Sequence, residues 1–225
     1  MKERQILNQN KVKVDYITHM GSDLTVVNAA RVSFHNHSEK LDDSDMRLID
    51  YLARHKHWSP FSHCFVQFRV KAPIFVARQL VKHQVGLAWN EVSRRYVDTY
   101  PDFYEPEEWR GRASNNKQGS EGLIDFQDEA HDILRQIHIA ALGSYHELLQ
   151  LGVAPEMARM ALPQTTQTEW YWSGSLYAFA RVCQQRLDPH SQAETAEVAG
   201  WIDTICTELF PVSWEALLNH SKQES

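Results

Sequence analysis

Cys64-Phe-Val-Gln-Phe-Arg-Val70-Lys-Ala-Pro73-Ile-Phe-Val-Ala-Arg78-Gln-Leu-Val-Lys82-His83-Gln84 changes period part-way along. Cys64, Val66, Phe68 and Val70 alternate with Phe65, Gln67 and Arg69, the two-residue repeat of a half-buried strand. Pro73 then suits the first turn of a helix, where its missing N–H would have no partner anyway, and 74–83 reads as that helix. Neither GxGxxG nor GxxxxGK[ST] occurs in the chain, which sets aside Rossmann and P-loop modes of nucleotide binding.

Outward from this stretch the pattern stays mixed. Val12, Val14 and Tyr16 share one face of a strand over 12–17. Asp42, Asp43 or Ser44 caps a helix carrying Met46, Ile49, Leu52 and Ala53. The stretch 85–106 reads as a loop, and 109–120 as polar, Gly-containing and exposed. The longest helix spans about 125–151, with Phe126, Ala130, Ile133, Leu134, Ile137, Ala141, Tyr145 and Leu148 at three- and four-residue steps. A short helix starts at Pro155 and stops at Pro163, 165–172 has strand propensity, and 175–187 and 189–209 look helical. No alternating βαβ rhythm appears. The expectation is one α+β domain over 1–225, a small, mostly antiparallel sheet packed by long helices.

The 225 residues carry 23 Lys and Arg against 29 Asp and Glu, a formal net charge of −6. That total disfavours a dedicated binder of long nucleic acid, which needs a basic surface to displace counterions. A small anion in a locally basic pocket is still compatible with it. Three widely spaced cysteines, Cys64, Cys183 and Cys206, argue against a disulfide framework or a zinc ribbon and fit a reduced, cytoplasmic setting. The first 20 residues lack an apolar signal core, and no run of about 18 apolar residues suggests a membrane span. His55, His57 and His63 cluster without the HExxH pattern, so no metal is expected.

Between residues 78 and 95 stand four cations, Arg78, Lys82, Arg94 and Arg95, against one acid, Glu91. Arg78 and Lys82 share a helix face, and Ser93-Arg94-Arg95 offers a hydroxyl, guanidinium groups and loop amides, equipment for gripping a phosphate. Glu91 suits a ribose hydroxyl. A solvated face with a weak Glu91–Arg95 pair is the open alternative. Arg159 before Pro163 suits an ion pair or a snorkelling side chain. Leu176, Phe179, Ala180 and Cys183 form a packed stripe, and Arg186 falls at the helix end, where its charge suits the dipole. Cys64 and Cys183 read as core.

Taken together, these segments resemble the flavin-dependent thymidylate synthases across almost the whole chain. The resemblance rests on Asp23-Leu-Thr-Val-Val-Asn-Ala-Ala-Arg31-Val-Ser33-Phe, His57-Trp-Ser-Pro-Phe61-Ser-His63 and Lys71-Ala-Pro-Ile-Phe-Val-Ala-Arg78-Gln79. It continues in Asn90-Glu91-x-Ser93-x-Arg95-Tyr96, Ala158-Arg159-x-x-Leu162-Pro163 and Arg186-x5-Gln192-x-Glu194. The family's Arg-His-Arg signature here reads Lys82-His83-Gln84, with one extra residue before Asn90. Its later Asn-x-Arg reads Ser175 and Tyr177, and a further Asn position holds Arg181.

The resemblance implies a thymidylate synthase-complementing protein-like fold. It implies methylation of dUMP at C5 with methylenetetrahydrofolate as carbon donor and FAD reduced by NADPH. It implies Arg186 as the catalytic residue. Gln79, Lys82, Glu91, Val92, Ser93, Arg94, Arg95, Arg159 and Arg186 correspond to dUMP positions. His57, Ser59, Lys82, His83, Gln84, Glu91, Ser175, Tyr177, Arg181 and His190 match or neighbour FAD positions. The implied assembly is a homotetramer with sites shared between chains. Two alternatives stay open: a relative forming another 5-substituted dUMP, such as 5-hydroxymethyl-dUMP, and a nucleotide-binding homologue without flavin.

Overall fold

The computed structural model describes residues 11–96, 99–114 and 119–220. Among them are strands β1 (Lys13–Met20), β2 (Phe65–Pro73), β3 (Leu87–Glu91), β4 (Arg110–Arg112), β5 (Ser120–Leu123) and β6 (Gln167–Ser175). The helices are α1 (Asp23–Arg31), α2 (Asp43–Arg54), α3 (Ile74–Leu80), α4 (Gln127–Gln150), α5 (Pro155–Ala158), α6 (Leu176–Arg186), α7 (Ala193–Leu209) and α8 (Pro211–Asn219). The class is α+β. One sheet has the order β1-β2-β6-β3, and β4 pairs with β5 in an antiparallel hairpin. The chain clusters into two compact units. The first holds Lys71–Gln79, Glu91–Trp170 and the N-terminal stretch up to Lys13; the second holds Val14–Val70, Leu80–Asn90 and the stretch from Tyr171.

In the second unit, side chains alternate along β2 as its sequence pattern requires, with Val66, Phe68 and Val70 buried. Gln67 donates to Ser173 Oγ of the neighbouring β6 at 2.8 Å. Phe179 of α6 meets Phe68 edge-on at 5.0 Å and Trp172 at 5.2 Å, so the α6 stripe is the core. Asp42 caps α2 by accepting from Asp45 N at 2.9 Å. Asp23, at the start of α1, accepts from Val212 N and Ser213 N, satisfying two amides at the start of α8. Cys64, Cys183 and Cys206 are buried thiols, and burial pushes the Cys64 thiol up to about 12.

In the first unit, α4 buries Leu134, His138 and Tyr145. His138 stacks on Phe103 at 4.5 Å and shares a 2.8 Å hydrogen bond with Thr165 Oγ1. Phe126, Ile133 and Ile137 of the predicted stripe lie exposed instead. Two loop readings need correction. Within 85–106, residues 87–91 form β3, and 109–120 contributes to the β4–β5 hairpin. Both are short; β3 pairs with β6, distant in sequence, and the β4–β5 pairing carries no alternating apolar pattern to mark it. The predicted helix over 74–83 ends at Leu80, where the chain turns tightly with His83 N donating to Leu80 O at 3.0 Å. The α1 helix had no counterpart in the sequence reading.

The turn is held by two glycines. Gly86 has φ of +78°, and its carbonyl accepts from Ser175 N at 3.1 Å. A Cβ on Gly174 would sit 2.4 Å from Leu87 Cδ2 and 2.5 Å from Gly86 O. Gly174→Ala is therefore expected to cost about 1–3 kcal/mol by overpacking, read from urea unfolding. Gly143→Ala is the control. It lies in α4 with no atom within 4 Å of an added Cβ. It should stabilise by about 0.5–1 kcal/mol through helix propensity.

Candidate functional site

Part of the predicted set lines two cavities, one within each unit. That of the second unit begins with α6. Ser175 starts the helix, its Oγ accepting from Ala178 N at 3.2 Å. The buried stripe fixes the helix rotation, which leaves Arg181 and Gln185 on the open face and Arg186 at the end. The turn after α3 supplies the other wall. The result is a cavity of about 200 Å³ lined by Lys82, His83, Gln84, Val85, Leu87, Ala178, Arg181, Gln185 and Arg186. Three of these are cations and none is a carboxylate.

Arg186 Nε donates to His83 Nε2 at 3.0 Å. An accepting Nε2 places the imidazole proton on Nδ1. Burial, then the guanidinium groups of Arg186 and Arg181, push the His83 pKa down to about 4. His83 is thus neutral at pH 7 and leaves the charge of Arg186 intact. Nearby, Tyr177 tilts against Trp58 at 6.3 Å, and His57 stacks with Tyr51 at 6.1 Å. Ser59 and His190 are exposed, and neither lines this cavity.

The first unit holds a cavity of about 280 Å³ whose lining includes Lys71, Glu91, Val92, Arg94, Asp102, Arg159 and Thr168. Val92 N donates to Glu169 O at 2.8 Å, which anchors the segment after β3. Glu91 Oε1 accepts from Thr168 Oγ1 at 2.7 Å. Arg94 Nη1 donates to Thr99 O at 2.5 Å, and Arg159 Nε to Glu156 O at 3.1 Å. Both guanidinium groups are therefore held by neutral carbonyls and stay available to an anion. Arg95 is exposed, donating to Ser93 Oγ and Tyr96 OH. Ser93, Arg95 and Gln79 do not line the cavity.

A family model described as "Thymidylate synthase complementing protein" matches residues 15–212. The chain belongs to that family. A "Flavin-dependent thymidylate synthase" of Thermus thermophilus is 44% identical over 207 residues, covering 92% of this chain and 76% of the relative. One from Thermosipho africanus is 37% identical over 218 residues, covering 96% and 94%. Among solved structures, the UMP/dUMP methylase PolB from Streptomyces cacaoi, bound with 5-Br dUMP, superimposes with a TM-score of 0.87. It is 31% identical and covered to 98%, against 96% of this chain.

Glu91, Val92, Arg94 and Arg159 line the cavity of the first unit. Lys82, His83, Gln84, Arg181 and Arg186 line that of the second. Sequence reasoning missed Thr168 and Asp102, which contribute through strand pairing and a loop, and Gln185, one turn beyond Arg181. Among the described residues no group of three or more His, Cys, Asp or Glu is placed to hold a metal, and no helix is long and apolar enough to cross a membrane.

Titration by NMR should place His83 protonation at about 4. Arg186→Ala should raise it yet leave it below the ordinary 6.5, because burial is the largest cause. The folded pKa lies below the unfolded one, so the His83 contribution is complete above 6.5 and declines as pH falls toward about 4.

Proposed function

We propose that the chain methylates dUMP at C5 to give dTMP, with methylenetetrahydrofolate as the carbon donor. The observation that carries this reading is how the cleft arginines are held. Arg94, Arg159 and Arg186 donate to two carbonyls and a neutral imidazole. By contrast, Arg31 and Arg135 pair with the carboxylates of Asp45 and Glu105. A guanidinium fixed by a neutral acceptor keeps its full charge for a ligand. The names of the relatives supply the substrate and the reaction.

Arg94, Arg95 and Arg159, with the Ser93 hydroxyl, bind the nucleotide phosphate, and Glu91 accepts from a sugar hydroxyl. Gln79, Lys82 and Val92 complete the nucleotide contacts. Arg186 stabilises the negative charge that develops on N3 and O4 of the uracil, which makes C5 nucleophilic. No protein nucleophile is required. Three cations without a carboxylate also suit a flavin diphosphate, with Lys82, His83, Gln84, Ser175, Tyr177 and Arg181 as its holders. FAD, when bound and reduced by NADPH, supplies the hydride that turns the transferred carbon into a methyl group. The active form is a homotetramer whose sites draw on more than one chain. The exposed Phe126, just before α4, and Ile133 and Ile137 within it support such an assembly.

An anaerobic assay with dUMP, methylenetetrahydrofolate, NADPH and FAD should yield a product with the mass of dTMP. A 5-hydroxymethyl product, or none with a protein that retains no flavin, would contradict the proposal. UMP in place of dUMP tests the ribonucleotide, since the Streptomyces protein is a UMP/dUMP methylase. Arg186→Ala should lower kcat by about 10²–10³-fold with far less change in FAD affinity. Light scattering should give the mass of a tetramer; active monomers would refute the shared site.

A further inference from the structure

We propose that His83 is the positioning residue for Arg186. Its Nε2 takes the Nε–H of the guanidinium, so that only the end-on pair, Nη1 and Nη2, is presented to the substrate. The inference rests on the reading that Arg186 acts on the uracil ring.

A guanidinium has two flat edges able to make paired hydrogen bonds, one through Nε and a neighbouring Nη, the other through both Nη atoms. The 3.0 Å bond to His83 occupies the first. The second is left, and Arg186 has no further hydrogen bond or ion pair among the described residues. An end-on fork matches a planar edge bearing adjacent anionic nitrogen and oxygen, such as N3 and O4 of a deprotonated uracil.

The choice of partner has a physical consequence. A carboxylate would hold the guanidinium at least as firmly, as Asp45 holds Arg31, but would offset its charge. A neutral imidazole fixes the group and leaves the positive charge for the transition state. His83 is suited to this because Lys82, Arg181 and Arg186 surround it and no acid lines the cavity.

The imidazole is itself held. His83 N donates to Leu80 O at 3.0 Å, and three residues on, the Gly86 carbonyl is fixed by Ser175 N at 3.1 Å. The turn therefore cannot drift away from α6 without breaking the close Gly86–Gly174 contact. His83 and Arg186 lie 103 residues apart, so this tether is a product of the fold.

The test uses the full chain saturated with FAD and three variants, His83→Gln, His83→Glu and His83→Leu. Two readouts are taken. One is kcat and KM for dUMP; the other is the Arg186 Nε–H resonance in ¹⁵N-arginine-labelled protein, assigned with Arg186→Lys. Glutamine offers a neutral acceptor, so His83→Gln should keep a protected Nε–H and a kcat within about tenfold of the parent, the scale of one hydrogen bond. Leucine offers none, so His83→Leu should lose the signal and about 10²-fold in kcat, as misplacement of a catalytic group does. His83→Glu should keep the signal and still lose about 10²-fold in kcat, because the charge is offset.

Recovery of full kcat by His83→Leu at saturating FAD would mean that His83 serves only the flavin and would overturn the proposal. So would a His83→Glu variant as active as His83→Gln. Circular dichroism identifies a variant that fails to fold, and the remaining two still decide between these outcomes. If the parent enzyme forms no dTMP, the functional reading falls and the role of His83 in that reaction falls with it. The Nε–H signal then separately judges whether the tether exists.

Discussion

The candidate site depends on a backbone contact between two glycines. Gly86 and Gly174 approach so closely that a methyl group on Gly174 would overlap both Leu87 Cδ2 and the Gly86 carbonyl. That contact lets Ser175 N reach Gly86 O and sets the start of α6, where the Ser175 hydroxyl accepts the Ala178 amide. The buried stripe of Leu176, Phe179, Ala180 and Cys183 then fixes the helix about its axis. With both start and rotation defined, Arg186 must emerge beside the turn that carries His83. Much of the chemistry proposed for this cleft follows from a steric condition a short distance away.

Charge is distributed in a way that the net value of −6 conceals. From residue 187 to 225 there are seven acids and one cation, Lys222. The cleft of the second unit has three cations and no acid. That of the first sets Lys71, Arg94 and Arg159 against Glu91, Asp102 and Glu169, with Lys71 paired to Asp102 at 3.1 Å and Arg94 and Arg159 held by carbonyl oxygens. Neutral acceptors orient a guanidinium without cancelling its field, and a half-buried cleft weakens the screening that would otherwise blunt it. The composition disfavours long nucleic acid, while the local arrangement favours a mononucleotide and a flavin.

The elements legible in the sequence were those whose pattern is local. The alternation of 64–70 appears as β2, and the steps of α2, α4, α6 and α7 appear as helices. The β3 strand was not legible because it is short and pairs with β6, distant in sequence, and the β4–β5 hairpin because its short strands carry no alternating apolar pattern. Exposure on α4 was also misjudged, since an apolar stripe shows that a face is to be covered without saying by what. Arg186 entered through resemblance to a family, as spacing alone left it a helix-end cation. Its contact with His83 could not be read at all.

The proposed role of Arg186, held by His83, is to act on the pyrimidine ring of dUMP. The most direct measurement is a crystal structure of the assembled protein with FAD and dUMP bound. Both Nη atoms of Arg186 are expected within hydrogen-bonding distance of the uracil edge, with the Nε–His83 bond retained. A nucleotide bound without Arg186, or an Arg186 that leaves His83 to reach it, would contradict the account.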